Sequence, residues 1–273
     1  MSPASLTLDP IDQALAAIAR GQMVVVVDDA SRENEGDLIL AAEKATPAAL
    51  AFLVRHTSGV VCAALPADRL AALQLPLMVA DNAESQGTAF TITTDYRHGT
   101  STGISAADRA ATLRALADPR AGAADFVRPG HIFPLRARAG GVLERRGHTE
   151  AAVDLARLAG LTPAGVLCEL VNDDGSMSRP PELHAFARRH GLAIISVADL
   201  AAYRRETERR AVVADRVELS PQQQAGNNLL LAQRQRALWA PINAQITAGT
   251  PPALHPGPAE PRQIRETRAI GER

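Results

Sequence analysis

The chain is poor in aromatic residues and almost devoid of lysine, and each shortage limits what it can do. Phe, Trp and Tyr make up 3% of the 273 residues, so the core must be built from Ala, Val, Leu and Ile, which an apolar fraction of 46% allows. Lys44 is the only lysine among 29 basic residues, in a stretch, AAEKATP, typical of an exposed turn. Schiff-base catalysis on a ketose would need that residue and is therefore not expected.

Charge and hydropathy exclude further classes of partner. The net charge is −1, so neither a nucleic acid nor a membrane is predicted as a partner. No apolar run reaches the length of a membrane span, and the first ten residues lack the pattern of a signal peptide, so a cytoplasmic location is predicted. Cys62 and Cys168 lie within apolar runs, which predicts buried thiols.

Helical and strand-like segments alternate along the first 205 residues. Helices are predicted near 11–20, 47–56, 106–117, 149–159 and 181–190 and from 198, strands near 23–27, 38–42, 59–65, 165–170 and 192–197, a β-rich stretch at 87–94, and turns around Gly130 and Gly140-Gly141. This alternation predicts an α/β or α+β fold, a mixed β-sheet covered by helices. Composition changes near Tyr203, so we predict one domain over 1–205 and a C-terminal extension over 206–273, helical at first and then disordered.

An almost wholly polar segment, DDASRENEGD at 28–37, directly follows the first predicted strand. Ligands in α/β folds bind at such strand ends. Arg32 lies among the carboxylates, which suits a substrate that carries both a metal and an anion. Gly36 would let Glu33 and Asp37 face a common point. A solvated acidic turn is the alternative interpretation.

A second segment, Arg145-Arg146-Gly147-His148-Thr149, leads into a predicted helix. Thr149 is the predicted N-cap, and a helix N-terminus binds phosphate through its free N–H groups and its positive dipole end. Arg145 can clamp a phosphate with two hydrogen bonds, and Gly147 allows a close approach. His148 at the same edge can bind a metal or transfer protons. A basic turn that caps a helix is the alternative.

Three weaker candidates carry polar groups elsewhere. Glu169 lies within the apolar run GVLCEL, where a buried carboxylate is costly unless it is paired or functional; a solvent-facing strand end is the alternative. His131 follows the rigid pair Pro129-Gly130. The stretch TSTGIS at 100–105 suits sugar hydroxyls or phosphate, and ordinary helix capping explains it equally well.

Together these segments resemble the 3,4-dihydroxy-2-butanone 4-phosphate synthase family. The matching stretches, in order between about residues 10 and 204, are DDASRENEGDLI, RHTSGVVC, LPLMV, GTAFTIT, TGISAADRA, RPGHIFPLRARAGGVLERRGHTEAAVDLARLAG and PAGVLCELVNDDGSM. The combination of RENEGD, GHTEA and CEL–NDDG at the family's spacing is far more specific than any one motif. Arg146 departs from the pattern, since a small residue is common at its position.

The resemblance implies a lyase of riboflavin biosynthesis. Such an enzyme converts D-ribulose 5-phosphate to L-3,4-dihydroxybutan-2-one 4-phosphate and formate through a metal-stabilised enediol and a skeletal rearrangement, uses Mg²⁺ or Mn²⁺, and is a homodimer with sites near the subunit interface. The resemblance also implies Glu33 and His148 as metal ligands, Asp37, His131 and Glu169 as catalytic residues, and Arg32, Glu33, Asp37, Arg145, Arg146, Gly147, His148, Thr149 and Glu169 as substrate-binding residues. The division of the proton transfers among the three catalytic residues stays open.

The sequence also bears on three other functions. In many bacteria the domain is fused to GTP cyclohydrolase II, whose zinc site needs three cysteines. No cysteine follows Cys168, so that second activity is not expected. A catalytically silent scaffold would be expected to have lost Glu33, His148 or Glu169, and all three are present. A sugar-phosphate isomerase would share the enediol step but release no formate.

Overall fold

The computed structural model describes residues 7–218, with side chains to residue 210, and its first compact unit ends at Arg210. The helices are α1 Ile11–Ala19, α2 Pro47–His56, α3 Ala67–Ala72, α4 Ala106–Ala117, α5 His148–Leu158, α6 Pro180–His190 and α7 Val197–Glu218. The strands are β1 Val24–Val27, β2 Gly36–Ala41, β3 Cys62–Leu65, β4 Thr94–Tyr96, β5 Phe126–Arg136, β6 Gly165–Glu169 and β7 Ala193–Ser196. None of these helices has both the length and the apolar character needed to cross a membrane.

Seven strands form one mixed sheet in the order β4-β5-β3-β6-β2-β1-β7. Strand β1 runs parallel to β7, and β3 runs parallel to β5, whereas the other neighbouring pairs are antiparallel. Strand β1, between β2 and the edge strand β7, is four consecutive valines, all of them buried, as expected of a strand covered on both faces. The predicted fold class, a mixed sheet covered by helices, is confirmed.

The two faces of the sheet bury alternate residues of each strand. Along β1, Val25 and Val27 pack in the apolar cluster that includes Leu50 of α2, Leu113 of α4 and Leu183 of α6. The intervening valines pack on the opposite face in a cluster with residues of α1, α5 and α7. The fold therefore has three layers, and α5 lies on the same face as α1 and α7.

The helix starts follow the expected capping chemistry at two positions and depart from it at a third. The hydroxyl of Thr46 accepts from Ala49 N–H at the start of α2, and Ser105 does the same for Asp108 at the start of α4. The prediction of Thr149 as an N-cap is wrong. Helix α5 is capped by Gly147, without a side-chain cap, and Thr149 is its second residue.

The predicted turn around Gly130 is also wrong, because the segment belongs to strand β5. This strand pairs with β3 and β4, and its register with β4 shifts between Thr94 and Asp95. Residues 128–131 therefore form a bulge within a strand, and Gly130 lies so close to the backbone of Thr94 that a side chain there would collide with it. The turn predicted around Gly140-Gly141 is present, and a short 3-10 helix begins at Gly141.

The predicted boundary at residue 205 lies inside α7, which continues to Glu218. Most of the predicted C-terminal extension, from residue 219 onward, lies outside the described residues.

Candidate active site

A polar pocket opens where β1 and β6 end and β2 begins, beside the first turn of α5. Its lining consists of Arg32, Glu33, Glu35, Asp37, Cys62, Glu84, Thr88, Phe90, Leu135, His148, Thr149, Leu167 and Glu169. The carboxyl ends of strands are where α/β folds bind ligands. Six residues predicted from sequence lie together here: Arg32, Glu33, Asp37, His148, Thr149 and Glu169.

The acidic loop between β1 and β2 is organised by Asp28. One of its carboxylate oxygens accepts from Glu35 N–H at 2.9 Å, and the other accepts from Glu33 N–H at 3.1 Å and from the Arg32 guanidinium at 2.9 Å. Asn34 adopts a left-handed conformation with φ of 55°, which asparagine tolerates better than most residues. The loop is thus a folded structure with internal hydrogen bonds, and it presents Glu33 to the pocket.

The imidazole of His148 is oriented by the backbone of β1. Its Nε2 lies 3.1 Å from the carbonyl oxygen of Val26, which can only accept, so Nε2 carries a proton and donates it. The other nitrogen, Nδ1, lies 3.6 Å from both Glu33 Oε2 and Asp37 Oδ1. Two carboxylates therefore face one imidazole nitrogen inside a largely buried pocket.

The charges at this centre shift one another's pKa. Burial raises the pKa of Asp37 to about 7, and Oδ1 of this residue has no hydrogen-bond partner among the described residues. Burial alone would lower the pKa of His148, but the carboxylates of Asp37, Glu33 and Asp28 raise it to about 9. The nearby imidazole of His148 in turn holds the pKa of Glu33 below its usual value. The pocket therefore favours positive charge at this point.

These residues fit a divalent cation. Ligand atoms of Asp28, Glu33 and His148 lie within 4.8 Å of one another, and Oδ1 of Asp37 lies 3.6 Å from Nδ1 of His148. Carboxylate oxygens and an imidazole nitrogen are suitable ligands for Mg²⁺ or Mn²⁺. Because both oxygens of Asp28 already bind the loop, Glu33 and His148 are the better candidate ligands.

Strand β6 contributes Glu169, which lies directly opposite Asp37 in the antiparallel pairing with β2. The hydroxyl of Ser58 donates to Glu169 Oε2 at 2.6 Å, so the carboxylate is oriented at a partly exposed strand end. Cys62 lines the pocket as well, and burial raises the pKa of its thiol. Both cysteines are buried as predicted, but the apolar run that predicted burial carried no sign that Cys62 borders the site.

Arg145 lies next to the pocket and is held by a buried partner. Its Nη1 donates to Glu150 Oε2 at 2.7 Å, and its Nη2 donates to the carbonyl of Gln86 and the hydroxyl of Thr88, each at 3.2 Å. Thr88 lines the pocket, whereas Arg145 itself is outside the lining. The segment from Glu84 to Thr88 therefore forms a wall of the site.

The pocket lining does not include three other residues predicted for the site, Arg146, Gly147 and His131, nor Lys44, for which no catalytic role was expected. Arg146 is exposed, and Lys44 forms a partly exposed ion pair with Glu43 at 3.6 Å. His131 is exposed on the β5 bulge, where its Nδ1 lies 2.6 Å from Asp95 Oδ2 and its backbone N–H donates to Oδ1 of the same carboxylate. The structure does not bring His131 together with Glu33 and His148 within one chain.

Comparison with known proteins identifies the family. The family model described as 3,4-dihydroxy-2-butanone 4-phosphate synthase matches residues 12–203. The chain belongs to this family. A 3,4-dihydroxy-2-butanone 4-phosphate synthase of Agrobacterium fabrum (strain C58 / ATCC 33970) is 57% identical over 198 residues, which cover 72% of this chain and 93% of that protein. The chain also shares the fold of the family. A crystal structure of 3,4-dihydroxy-2-butanone 4-phosphate synthase in complex with two magnesium ions matches with a TM-score of 0.72 at 49% identity. The match covers 74% of this chain and 99% of that chain.

Other members of the synthase family are much longer. Riboflavin biosynthesis protein RibBA of Salinispora arenicola (strain CNS-205) is 63% identical over 204 residues, which cover 75% of this chain and 49% of that protein. This chain thus spans about half the length of the RibBA relatives that it matches. The shared half is the synthase domain, which contains every site residue described above.

Proposed function

We propose that this chain converts D-ribulose 5-phosphate to L-3,4-dihydroxybutan-2-one 4-phosphate and formate. The observation that carries the proposal is the convergence of Glu33 and Asp37 on Nδ1 of His148, each at 3.6 Å, in a pocket beside a helix N-terminus. Membership of the synthase family supports the same reaction. The site combines a place for a cation, acid–base groups and a place for an anion, which a phosphorylated ketose requires.

Enediol formation needs a base beside the carbonyl carbon and an electrophile at the carbonyl oxygen. A divalent cation, Mg²⁺ or Mn²⁺, held by Glu33 and His148 would supply the electrophile. Asp37 is suited to accept and return a proton, because burial places its pKa at about 7. Glu169 lies opposite Asp37 across the β2–β6 pairing, and the hydroxyl of Ser58 fixes its carboxylate for a second transfer.

The phosphate of the substrate belongs at the start of α5. Because this helix is capped by a glycine without a side-chain acceptor, its first N–H groups remain available to an anion. Thr149 lines the pocket at this point, and Arg145 stands behind Thr88 at its wall. Arg32 also lines the pocket, and its salt bridge to Asp28 sets the position of its guanidinium.

The working enzyme is proposed to be a cytoplasmic homodimer in which a second copy supplies His131. His131 is exposed and hydrogen-bonded to Asp95, and it does not line the pocket of its own chain. Large apolar side chains are also exposed, among them Leu77, Met78 and Val79. An interface over these residues would bury them and could complete the site. The catalytic domain is proposed to end near residue 205.

Release of formate tests the reaction directly. The purified chain is incubated with D-ribulose 5-phosphate and Mg²⁺, and formate is followed with a coupled formate dehydrogenase. We expect stoichiometric formate and the four-carbon phosphate, both abolished by EDTA. A pentose phosphate without formate would instead show an isomerase, and no turnover by a folded, metal-loaded sample would refute the proposal.

A further inference from the structure

The guanidinium of Arg179 binds two consecutive carbonyl groups of the acidic loop. Its Nη1 lies 2.8 Å from the carbonyl oxygen of Glu33 and 2.7 Å from that of Asn34. Arg179 immediately precedes α6, and its own backbone N–H donates to Glu182 Oε2 at 3.1 Å, so the start of a helix fixes the residue. A residue far along the chain thus contacts the loop that carries the proposed metal ligand.

The loop is held from two sides. Asp28 accepts from the N–H groups of Glu33 and Glu35, while Arg179 donates to the outward-facing carbonyls between them. The left-handed conformation of Asn34 is disfavoured for an isolated residue, so these contacts stabilise a geometry that the chain would otherwise leave.

Helix α6 also packs against the end of this loop. A Cβ atom added to Gly36 would meet Cδ1 of Leu183 at 2.6 Å, so glycine is needed there to let the helix approach. Gly36 was predicted to let Glu33 and Asp37 face a common point, and both carboxylates do lie 3.6 Å from Nδ1 of His148, but the position does not use the conformational freedom of glycine. Its φ is not in the left-handed region, and the structure uses the missing side chain for packing.

We propose that Arg179 is a positioning residue that holds the acidic loop so that Glu33 can bind a divalent cation. This inference rests on the proposed function, because it takes Glu33 as a metal ligand. The direction of the change in cation affinity distinguishes the two effects that Arg179 could have. Its guanidinium lies 3.8 Å from Glu35 and places a positive charge beside the cation site. Removing only that charge would tighten cation binding, whereas losing the loop geometry would weaken it.

The first experiment measures Mn²⁺ affinity by titration calorimetry in the wild type, Arg179→Met and the control Arg189→Met. Arg189 is an exposed arginine within α6 and lines a different pocket, with His56 and Asp173. We expect about tenfold weaker binding in Arg179→Met, as for other residues that support metal ligands, and an unchanged affinity in the control. Unchanged or tighter binding in Arg179→Met would overturn the inference.

The second experiment follows the loop without metal, by hydrogen exchange of the Glu33 and Glu35 amides, which are bonded to Asp28. We expect faster exchange in Arg179→Met and recovery of most of the protection in Arg179→Lys, which keeps a charged donor. Equal exchange in the wild type and in Arg179→Met would refute the loop contact. If Glu33→Gln leaves Mn²⁺ affinity unchanged, the proposed metal site fails; if only Glu33→Gln weakens binding, the role of Arg179 fails alone.

Discussion

The buried carboxylate of Glu150 holds the guanidinium of Arg145 at 2.7 Å, and the absence of a side chain at Gly147 makes room for the pair. A Cβ atom at position 147 would collide with Nη1 of Arg145 and meet Oε2 of Glu150 at 3.0 Å. The other oxygen of Glu150 accepts from Arg138 N–H at 3.0 Å, so both oxygens of the carboxylate are held in place. The sequence motif RRGHTE is therefore a folded unit, with its first and last residues joined across the glycine.

Gly147→Ala should weaken substrate binding with little loss of stability. The backbone at Gly147 is extended, with φ of −114°, so alanine fits the conformation and its methyl group acts only by displacing the ends of the Arg145 and Glu150 side chains. We expect the KM for ribulose 5-phosphate to rise about tenfold, the loss of roughly one charge-assisted hydrogen bond, and stability to fall by less than about 1 kcal/mol.

Gly122→Ala is the matched control for that variant. Gly122 has φ of −112° and, like Gly147, precedes a helix, here a short 3-10 helix. An added Cβ would meet nothing within 4 Å. Steady-state kinetics and denaturant unfolding of both variants give the comparison. An unchanged KM in Gly147→Ala would show that Arg145 takes no part in substrate binding.

The stability of the metal-free protein should fall as the pH rises. The folded-state pKa is about 7 for Asp37 and about 9 for His148, against ordinary values of 3.8 and 6.5, so the folded state binds more protons over this range. Stability that comes from raised pKa values is complete at low pH and is lost as the pH passes through them. Unfolding in urea with EDTA should show a decrease of several kcal/mol between pH 5 and 9, because each unit of pKa shift corresponds to about 1.4 kcal/mol.

Replacing Asp37 tests the origin of that dependence of stability on pH. In Asp37→Asn the proton taken up by the carboxyl group is lost, and the dependence of the unfolding free energy on pH should become shallower. Added Mg²⁺ should restore stability at high pH and release about one proton per ion at pH 8, because a metal replaces the proton on the imidazole. Calorimetry in buffers of different ionisation enthalpy measures that proton, and a flat pH profile of the wild type would contradict the account.

The sequence predicted the fold class and most helices, because periodicity and capping act locally, and it predicted six of the residues that line the pocket. It could not predict the partners of those residues. Asp28 was part of a recognised acidic segment, but its hydrogen bonds to Glu33 and Glu35 depend on how the loop closes. Arg179 is about 145 residues away from its contacts with that loop, and no local pattern links the two.

The errors also have physical causes. Pro129 and Gly130 are turn residues by composition, yet they form a bulge in β5, because the neighbouring strand supplies the pairing and glycine permits the close backbone approach. Thr149 was expected to cap α5 as threonine often does. The helix begins one residue before it, where Gly147 also accommodates the Arg145 side chain, a tertiary contact that outweighs the capping preference.

Glu33→Gln should remove turnover and leave the fold intact. Its side chain is only partly buried, so the amide costs little stability, but it loses the negative charge that faces His148 at 3.6 Å. We expect at least about tenfold weaker Mn²⁺ binding and no detectable formate. Glu43→Gln serves as the control, because Glu43 pairs with Lys44 outside the pocket. Normal formate release by Glu33→Gln would show that the assignment of the metal ligand is wrong.

Mixing two inactive variants should restore part of the activity if a second copy supplies His131. Each site of the proposed dimer would combine Glu33 of one protomer with His131 of the other. In a dimer of one Glu33→Gln chain and one His131→Ala chain, one of the two sites then keeps both native residues. Random exchange of subunits makes half of the dimers mixed, so we expect about a quarter of the wild-type activity after the variants are unfolded and refolded together. Each variant refolded alone should remain inactive. No recovery in a mixture shown to contain mixed dimers would place His131 outside the partner's site.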